Sequence, residues 1–529
     1  MSNRLAHRPA AAALFLALAT TPHHAHAQTF IPLGPIEPGA TSTARALSRD
    51  GSTVVGLGYI NGLQQPFRWN RTDGMLRLPS GPVAYAGGVS SDGQVVVGLS
   101  GPASGYRPSF RWTAATGTQN TGTLAGGTHA YLEACNTDGS MITGVSYAAA
   151  FPNGRAVLWT PAAGMLPLAM PLGDTFTAAP GITPDGSIIV GSSGSYTVAP
   201  PTSRAVRWDP AGVPEDLGVL PNVSHSSAAA VSADGETIVG ASGNFYDPNG
   251  NASIHAFRWT RATGMQELHL PSRYSRAYAI SGDGSVVAGT AAFRTGPAAF
   301  LWTPQIGLVN LNHYLPLLGS NLGILNLQST VGVSADGRTI AGTGQRSDTF
   351  RDEAWIATLP ETLPPCLTLG PVQITPGCPR EHATLSISAA ISTPYTYTWQ
   401  VRTAAGEWID IAGTVAVGCT SGSGGTISQA APRDPASPTQ SLLIRPCGGL
   451  SSYTFRALVY TDCTAKVSDE ATYTICRADY DCDSNVSVLD IFAYLNDWFR
   501  GAQATDFDAI GPAMLSNLMA FISDWFTGC

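Results

Sequence analysis

Oxygen-bearing side chains recur at alternating positions in one short stretch near the C-terminal end of the chain. They occupy positions 1, 3, 5, 7, 9 and 12 of a twelve-residue loop and are Asp479, Asp481, Asp483, Asn485, Ser487 and Asp490. Calcium takes about six to eight oxygen ligands, and loops of this spacing supply them, with a backbone carbonyl at the seventh position. The sequence therefore predicts a calcium site. Two helices with acidic caps and no metal are the alternative.

This loop opens a duplication with a period of 27 residues. Residues 490–501 recur as 517–528, which predicts an amphipathic helix in each copy. The apolar face of the first predicted helix comprises Ile491, Leu495, Trp498 and Phe499. The second loop has Ile510 and Asn517 where ligands are expected, so we expect one strong calcium site and one weak or empty site.

The sequence lacks the short motifs that would indicate a catalytic centre. It contains neither the His-Glu-x-x-His pattern of metalloproteases nor the Gly-x-Ser-x-Gly turn of serine hydrolases. Six histidines follow residue 27, and no two of them lie within ten residues of each other. No catalytic or organic-cofactor residue is therefore predicted. Carboxylate pairs for glycoside cleavage can be distant in sequence, so a polysaccharide-active enzyme is the alternative.

The N-terminal residues have the pattern of a secretory signal. Arg4 and Arg8 precede an apolar run, and Ala25-His26-Ala27 is a small-x-small cleavage site, so residues 1–27 are predicted to be removed on export. No internal apolar run reaches about 20 residues, which predicts no membrane span. The formal net charge is −8 and there is no basic run, so nucleic acid is not an expected partner.

The first two thirds of the chain contain a sevenfold repeat. Each unit has Asp-Gly, four further residues and another Gly, and its aspartates are Asp50, Asp92, Asp138, Asp185, Asp234, Asp283 and Asp336. Two positions earlier stand Ser48, Ser90, Asn136, Thr183, Ser232, Ser281 and Ser334. Each unit later reaches a tryptophan, at Trp69, Trp112, Trp159, Trp208, Trp259, Trp302 and Trp355. Asp-Gly between short apolar runs predicts a tight turn between strands, and the tryptophan segment predicts a further strand.

Four short strands in units of 42 to 53 residues are typical of β-propeller blades. The seventh unit ends after Trp355 without its fourth strand, and a lone strand-like segment, residues 30–34, follows the predicted cleavage site. We expect that segment to pair beside Trp355 and close a ring of seven blades. The aspartates are interpreted as turn residues rather than as a metal or sugar channel, and the tryptophans as packing anchors.

Loop lengths predict which face of the ring binds a ligand. The Asp-Gly turns hardly vary in length, whereas the connections between second and third strands and the crossovers between units do. Both kinds of variable connection lie on the face opposite the Asp-Gly turns, and binding residues concentrate on variable loops held by a rigid frame. We therefore expect the ligand to contact segments 192–203, 241–254 and 310–328.

Units such as residues 277–289, followed by Ala298-Ala299-Phe300-Leu301-Trp302, resemble the bacterial HAF-type extracellular repeats and, more distantly, WD40 blades. The resemblance covers residues 29–359. It implies a propeller and an extracellular location, and it implies no reaction.

A proline-rich linker leads into a segment with alternating strand patterns around Trp399 that resembles bacterial Ig-like domains. Phe455 stands where many of these domains carry a cysteine. The resemblance implies a spacer. The usual disulfide between the two sheets is not expected, and Cys378–Cys463 and Cys419–Cys447 are our predicted pairings instead. Eight of the nine cysteines lie after residue 365, which favours a disulfide framework in an exported segment.

The loop–helix duplication of residues 476–529 resembles a dockerin, and Gly528-Cys529 matches the bacterial variety named for that ending. The resemblance implies calcium binding and docking to a cohesin-like or envelope anchoring protein. Val488-Leu489 and Leu515-Ser516 occupy the positions that help to choose the partner in known dockerins.

The sequence as a whole predicts a mainly β protein. Residues 1–27 are assigned to a signal peptide, 28–361 to a seven-bladed β-propeller, 362–475 to an Ig-like β-sandwich and 476–529 to a small α-helical dockerin-like tail. We expect a secreted, extracellular or cell-surface, non-enzymatic binding or display protein. Its propeller would bind an unknown ligand, polysaccharide or protein, and its tail would dock to a surface or matrix partner.

Overall fold

Strands dominate the computed structural model of the chain. It describes residues 29–102, 105–197, 201–244, 253–268, 274–375, 383–391, 395–402, 406–411, 414–416, 426–429, 439–444, 452–474, 480, 486–500 and 515–527. The prediction of a mainly β protein is confirmed. Within the described ranges, no helix combines the length and apolar character that a membrane span requires.

Seven four-stranded antiparallel sheets occupy the described part of residues 29–358. Sheet 1 contains β2 (Thr43–Leu47), β3 (Thr53–Ile60), β4 (Leu63–Asn70) and β5 (Gly74–Arg77). Sheet 2 contains β6 (Val83–Val89), β7 (Val96–Gly101), β8 (Ser109–Thr113) and β9 (Gly117–Gly122). Sheet 3 contains β10 (Gly127–Cys135), β11 (Ile142–Ala148), β12 (Phe151–Thr160) and β13 (Gly164–Pro167). Sheet 4 contains β14 (Phe176–Ile182), β15 (Ile189–Ser195), β16 (Thr202–Trp208) and β17 (Pro214–Asp216).

The remaining sheets follow the same plan. Sheet 5 contains β18 (His225–Val231), β19 (Thr237–Gly243), β20 (Ile254–Thr260) and β21 (Gly264–Glu267). Sheet 6 contains β22 (Ser275–Ile280), β23 (Val287–Phe293), β24 (Gly296–Thr303) and β25 (Gly307–Asn310). Sheet 7 contains β26 (Leu325–Val333), β27 (Thr339–Arg346) and β28 (Asp352–Thr358), and its fourth strand is β1 (Thr29–Pro32).

Each Asp-Gly pair forms the turn between the first and second strands of a sheet. In sheet 4, Thr183 Oγ1 donates to Asp185 Oδ1 at 2.6 Å, and that oxygen also accepts the Ser187 backbone N–H at 2.9 Å. These hydrogen bonds, that of Thr183 first, lower the pKa of Asp185 below its usual value. The next residue, Gly186, has a φ of +78°, which residues with a Cβ rarely adopt. Equivalent bonds recur in the other units, so the turn interpretation of the aspartates is confirmed.

The same turns join neighbouring sheets into a closed ring. Gly51 of sheet 1 lies against sheet 7, where a Cβ at this glycine would be 2.8 Å from Thr339 Oγ1. The Ala335 N–H of sheet 7 donates to the Arg49 carbonyl of sheet 1 at 2.7 Å. Similar backbone bonds run from turn to turn, except from sheet 4 to sheet 5, because Pro184 has no N–H. The first strand of each sheet contacts the first strands of both neighbouring sheets, so these strands surround a central channel.

The N-terminal strand completes sheet 7, as predicted. β1 pairs with β28, and Phe30 lies opposite Ala357. The register corrects one assignment in the repeat. Trp355 pairs with Gly342, and in sheets 1, 2, 5 and 6 the equivalent glycine pairs with a phenylalanine. The position at which the other sheets carry their tryptophan is occupied by Ala357 in sheet 7. Phe30 packs in the same core, with its ring centroid 6.0 Å from that of Trp355, so a large residue from β1 accompanies the small Ala357.

Two further sheets lie in the described part of residues 367–474 and share one core. The first contains β29 (Leu367–Leu369), β30 (Gln373–Thr375), β31 (Ala383–Ile391), β34 (Thr414–Ala416), β35 (Thr426–Gln429) and β36 (Thr439–Ile444). The second contains β32 (Tyr395–Arg402), β33 (Trp408–Asp410), β37 (Ser452–Thr461), β38 (Ala465–Val467) and β39 (Ala471–Thr474). Leu385 and Ile387 of the first sheet and Trp399 and Phe455 of the second belong to the same buried cluster.

The disulfide of this module differs from the expected pairing. Cys463 bonds to Cys366 and not to Cys378. Cys366 stands at the end of the linker, just before β29, and Cys463 lies between β37 and β38. β29 contacts β38, which brings the two Cα atoms to 6.2 Å, a normal separation for a cystine. Cys378, Cys419 and Cys447 lie outside the described residues.

The two-sheet module packs directly onto sheet 6. The Asn310 N–H donates to the Cys463 carbonyl at 2.7 Å, and Thr464 Oγ1 donates to the Leu308 carbonyl at 2.7 Å. Arg294 Nη1 also donates to a hydroxyl of the module at 3.2 Å. The expected spacer is therefore a close neighbour of the ring, and its edge covers the outer strand β25.

Three helices occur in the described part of the chain: α1 (Leu311–Leu317), α2 (Val488–Phe499) and α3 (Leu515–Thr527). α1 follows β25 and packs into the core between sheets 6 and 7. α2 and α3 pack together around three fully buried rings, those of Tyr480, Tyr494 and Phe521.

Candidate functional site

The structure places two of the six predicted calcium ligands. The other four, Asp479, Asp481, Asp483 and Asn485, lie outside the described residues. Ser487 caps α2, and its Oγ accepts the Leu489 N–H at 3.1 Å. Asp490 is fully buried in the first turn of that helix, and its Oδ2 accepts the Ser487 N–H at 2.7 Å.

Both residues carry oxygen of the kind that a hard cation binds, but these bonds form a capping box for α2, which the alternative of an acidic-capped helix also predicts. Trp525 Nε1 of α3 donates to the Ser487 carbonyl at 2.8 Å, which ties the end of the predicted loop to the second helix. Among the described residues, no three His, Cys, Asp or Glu side chains converge as a metal site would require. Since most of the predicted loop lies outside that part of the chain, the calcium site stays a prediction.

The tail helices expose more apolar surface than the sequence predicts. Phe499, assigned to the packed face, is 77% exposed. Ile491 and Trp498 of the predicted face do pack against the core of the tail, but the contact is centred on Tyr494, whose ring stacks on that of Phe521 at 4.1 Å, so Phe499 is left outside it. The exposed positions match between the two copies of the duplication and are Val488, Phe492 and Phe499 on α2 and Leu515, Met519 and Phe526 on α3. We call these six residues the tail patch.

A second set of candidate residues lines the central channel of the ring. On each first strand, the residues five and three positions before the repeat Ser, Thr or Asn are at least partly exposed, whereas the residue between them is buried. We call these positions the upper and lower rungs. The upper rung consists of Thr43, Tyr85, Tyr131, Ala178, Ser227, Arg276 and Ser329. The lower rung consists of Arg45, Gly87, Glu133, Pro180, Ala229, Tyr278 and Val331.

A β-bulge accompanies the lower rung in all seven sheets. The register between the first and second strands shifts at this residue, for example between Ala44 and Ala46 around Arg45, and between Leu132 and Ala134 around Glu133. A bulged residue is left out of strand pairing and its side chain is re-aimed, which is why bulges are common beside binding sites. The repeat therefore turns one extra residue per sheet toward the channel.

Aromatic side chains gather at the end of the channel opposite the Asp-Gly turns. The rings of His129 and Tyr147 stack at 4.6 Å, and Tyr131 meets both edge-on at 5.3 and 5.9 Å. Tyr85 stacks on Tyr131 at 6.0 Å, and the Arg45 guanidinium lies 5.5 Å from the Tyr85 ring centroid. With Glu133, these residues from sheets 1, 2 and 3 form what we call the mouth cluster.

Glu133 sets the electrostatics of the mouth cluster. Its carboxyl has no hydrogen-bond or ion-pair partner in the described part of the chain, and burial raises its pKa, an effect that Arg45 partly offsets. Burial, followed by the charge of Glu133, raises the pKa of Tyr85. Burial, followed by Arg107, lowers the pKa of His129, so this imidazole is neutral at neutral pH.

Arg49 narrows the channel at the Asp-Gly end. It stands between Ser48 and Asp50, and its Nη2 reaches across to the Val231 carbonyl of sheet 5 at 3.4 Å. Burial lowers its pKa. The equivalent residues of the other units are small and are Ser91, Thr137, Pro184, Ala233, Gly282 and Ala335. Arg49 therefore forms a floor beneath the two rungs.

The mouth cluster lies on the predicted ligand face, but the predicted segments are only partly free loops. In segment 192–203, Tyr196 stacks on Phe176 at 4.6 Å. Segment 310–328 begins with α1, where Tyr314 is fully buried and donates its hydroxyl hydrogen to the Pro364 carbonyl at 2.8 Å. Residues 198–200 and 245–252 lie outside the described residues, and ligand contact with these segments stays a prediction.

The rung residues are not among the predicted site residues, although the sequence contains a signal for them. Aligning the seven units on Asp-Gly places Arg45, Glu133 and Tyr278 in one column in which the other four residues are Gly, Pro, Ala and Val. Isolated charged or aromatic residues in a column of small ones indicate a position that the frame leaves free for function.

No protein-family model matches the chain, and no curated protein matches it. Solved structures similar to it include the β-propeller domain of the Trilobed protease from Pyrococcus furiosus, with 11% identity and a TM-score of 0.41 over 60% of this chain and 95% of that one. TolB from Acinetobacter baumannii has 14% identity and a TM-score of 0.34 over 48% of this chain and 62% of that one. A putative TolB from Agrobacterium tumefaciens has 15% identity and a TM-score of 0.34 over 58% and 99%.

The chain thus spans less than two thirds of the length of TolB from Acinetobacter baumannii. At these TM-scores the similarities carry no information about ligand or activity, so the function has to be argued from the residues.

Proposed function

We propose that the chain is a secreted, non-enzymatic binding protein whose mouth cluster holds an extracellular ligand. The observation that carries this proposal is the mouth cluster itself, in which stacked rings surround a carboxylate without a partner in the described part of the chain. Aromatic walls with a few convergent polar groups are typical of ligand sites. The rings stand on strands of a closed ring and are therefore pre-organised, which lowers the entropy lost on binding.

The proposed architecture is a seven-bladed β-propeller, an Ig-like β-sandwich and a dockerin-like tail, exported by the signal of residues 1–27. The seven sheets and the contacts between sheets 7 and 1 support the blade count. The two-sheet core around Trp399 supports the Ig-like module. The paired helices that follow the predicted calcium loop support the tail.

The tail is proposed to anchor the protein to a cohesin-like or other envelope protein. Val488 and Leu489, the positions expected to choose the partner, are 54% and 58% exposed. The tail patch extends that apolar surface over both helices, and apolar patches on small domains are typical of protein contacts. Calcium is proposed to order the loop from which α2 begins.

Cosedimentation of the full chain with the isolated envelope and extracellular matrix of the source cell tests the function. The assay uses Val488→Ser/Leu489→Ser/Phe499→Ser/Phe526→Ser as the background, because these changes remove the partner-choosing positions and two phenylalanines of the tail patch and so weaken binding through the tail. In this background, adding Tyr131→Ala and Tyr147→Ala is expected to lower binding at least about tenfold, since central aromatic anchors dominate binding energy. Tyr59→Ala, an exposed change elsewhere on the same face, is the matched control and should bind normally. Binding that does not respond to the cluster would contradict the proposal.

A polysaccharide-active enzyme is the alternative, and the same samples test it. Among the described residues, Arg45 is the charged group that acts on Glu133, whereas glycosidases flank the scissile bond with two carboxyl groups about 5–10 Å apart. We therefore expect no release of reducing ends or unsaturated products. Turnover that Glu133→Ala abolishes would replace the binding proposal.

A further inference from the structure

The lower rung carries opposite charges on one side of the channel and small side chains on the other. Arg45 of sheet 1 and Glu133 of sheet 3 are separated by sheet 2, whose own lower-rung residue is Gly87. Gly87 has no side chain of its own, and the Tyr85 ring of the same sheet lies over it, because a Cβ at Gly87 would be 3.3 Å from Tyr85 Cε2. Pro180 and Ala229, on sheets 4 and 5, leave room at the opposite wall.

These two charges face the channel without forming an ion pair with each other. The Arg45 guanidinium lies over the Tyr85 ring, and Glu133 has no hydrogen-bond partner in the described residues. The carboxylate can therefore still accept hydrogen bonds, and the guanidinium can still donate them. A ligand that contacts both groups beside the Tyr85 ring would satisfy them, and hydrogen bonds to charged groups are the stronger kind.

The charges also limit which ligand groups can lie there. An ammonium group bound near Glu133 would be repelled by the positive charges of Arg45 and, below it, Arg49. A carboxylate bound near Arg45 would be repelled by the negative charge of Glu133. Hydroxyl groups donate and accept without a net charge, so they suit both neighbours. A saturated ring can also pack its C–H face on aromatic rings such as those of Tyr85 and Tyr131.

We propose that the ligand is a neutral saccharide whose terminal residue inserts end-on, stacks on Tyr85 and Tyr131, and bridges Arg45 and Glu133 through its hydroxyls. This inference rests on the proposed binding function of the mouth cluster. Because Arg49 spans the far end of the channel, a saccharide longer than the channel must extend out of the mouth by which it enters. The channel therefore takes the end of a chain and not its middle.

Calorimetric titration of the full chain with defined hexasaccharides tests the ligand class. The neutral probes are cellohexaose, maltohexaose, mannohexaose and xylohexaose, and the charged probes are hexagalacturonate and a glucosamine hexamer. We expect saturable binding of at least one neutral hexamer. The charged hexamers should bind at least about tenfold more weakly, because each meets a like charge in the lower rung.

Substitutions in the lower rung separate a neutral ligand from a cationic one. Arg45→Ala and Glu133→Ala should each lower affinity about tenfold or more, the loss expected for a hydrogen bond to a charged group. Glu133→Gln keeps an acceptor oxygen without the charge, so it should lower the affinity for a neutral ligand less than Glu133→Ala does, whereas a cationic ligand would lose its counter-charge and bind as weakly as to Glu133→Ala. Arg77→Ala, which breaks an exposed ion pair with Glu37, is the matched control.

The direction of insertion is tested by fixing the bound hexamer to a surface through either terminus. One attachment should keep binding and the other should abolish it. Equal binding in both orientations, preference for a charged hexamer, or no binding of any neutral hexamer would overturn the saccharide inference. If binding to the envelope still depends on the mouth cluster, such a result overturns only the saccharide inference. If binding to the envelope does not depend on the mouth cluster, the proposed function fails as well.

Discussion

Glu133 and Arg45 reach the same channel from sheets 3 and 1, and the carboxyl of Glu133 is held there without a neutralising hydrogen bond in the described part of the chain. Burial raises its pKa above the usual 4.5, so the folded protein holds this proton more tightly than the unfolded chain does. The folded state is therefore favoured at low pH and loses that advantage as the pH rises through the raised value. A group that lowers stability at neutral pH is typical of functional positions.

Glu133→Gln is expected to stabilise the ring at neutral pH. Above the usual pKa, the parent protein bears the cost of ionising a buried carboxyl, whereas the uncharged amide of the variant does not. Below the usual pKa the carboxyl is protonated in the parent, so this cost is absent from both proteins. The melting temperature of the variant should therefore be higher than that of the parent at pH 7.5 and nearly equal to it at pH 4. Thermal unfolding at both pH values measures it, with Glu37→Gln as the exposed control. An equal shift at both values would contradict the assignment.

The turn aspartates predict the opposite pH dependence. The pKa of Asp185 is lowered, so its stabilising hydrogen bonds are fully present above the usual value of 3.8 and are lost as the pH falls through the lowered one. Because this carboxylate is exposed, Asp185→Ala should destabilise the ring by less than about 1 kcal/mol at pH 7, and the difference should shrink as both proteins are brought to about pH 2. Denaturant unfolding of parent and variant at the two pH values is the measurement. A difference independent of pH would mean that the carboxylate is not the stabilising group.

At the scale of residues, the sequence predicts what is local and misses what the ring brings together. The aspartate turns follow from neighbouring residues alone, and the structure contains them as predicted. Arg45, Tyr85 and Glu133 come from three sheets, and their proximity depends on how many sheets close the ring. No spacing in the sequence encodes that distance.

At the scale of elements, β1 is the clearest link between sequence and stability. Removing residues 28–35 leaves the outer edge of β28 unpaired and uncovers Trp355, which is fully buried against Phe30 and its neighbours. The whole ring should therefore melt at a lower temperature, because each sheet is packed against the next. Near-ultraviolet circular dichroism follows that transition.

Phe30→Ala is the milder version of the same change. It removes the large ring that accompanies Ala357 and should cost less than the roughly 3–5 kcal/mol of a fully buried phenylalanine, because the Phe30 ring is only partly buried. Thr29→Ala, at the start of the same strand, is the matched control. Unchanged melting of the deletion variant would show that β1 is a loose tail and that the ring closes without it.

The register of sheet 7 and the disulfide show where element-level prediction fails. The order of the repeat motifs aligns Trp355 with the other six tryptophans, but strand pairing places it two positions earlier than they are. Phe30 of β1 supplies the bulk that Ala357 lacks at the tryptophan position. Cys366 pairs with Cys463 because β29 runs beside β38, a contact between elements almost 100 residues apart. Eight cysteines permit about 105 pairings, and spacing alone does not choose among them.

At the scale of the whole molecule, the order of repeats, sandwich-like module and helical pair follows the changes of pattern along the sequence. The contact of the module with sheet 6 cannot be predicted from these patterns. Its hydrogen bonds are accepted by the backbone carbonyls of Leu308 and Cys463, and every residue type has a backbone carbonyl. The linker prolines indicate stiffness and say nothing about what the module meets.

Calcium is expected to order the tail of the intact chain. Trp525 donates to the Ser487 carbonyl at the end of the predicted loop, so filling the loop should change the environment of that indole. Fluorescence titration of the full chain should show a saturable change by roughly 10 mM calcium, ten times the weak limit for extracellular sites. Trp525→Phe should remove that change, and Asp479→Ala/Asp490→Ala should abolish it. A fluorescence response that persists in the double variant would contradict the calcium-loop prediction.

Hydroxyl-radical footprinting of the full chain, with and without solubilised envelope and matrix material, tests most directly whether the mouth cluster is the ligand site. We expect the ligand to protect Tyr85, Tyr131 and Tyr147, while Tyr59 on the same face keeps its reactivity. Protection of the mouth cluster should saturate together with binding. Protection confined to the Asp-Gly face of the ring, or binding that leaves all three tyrosines as reactive as before, would contradict the account.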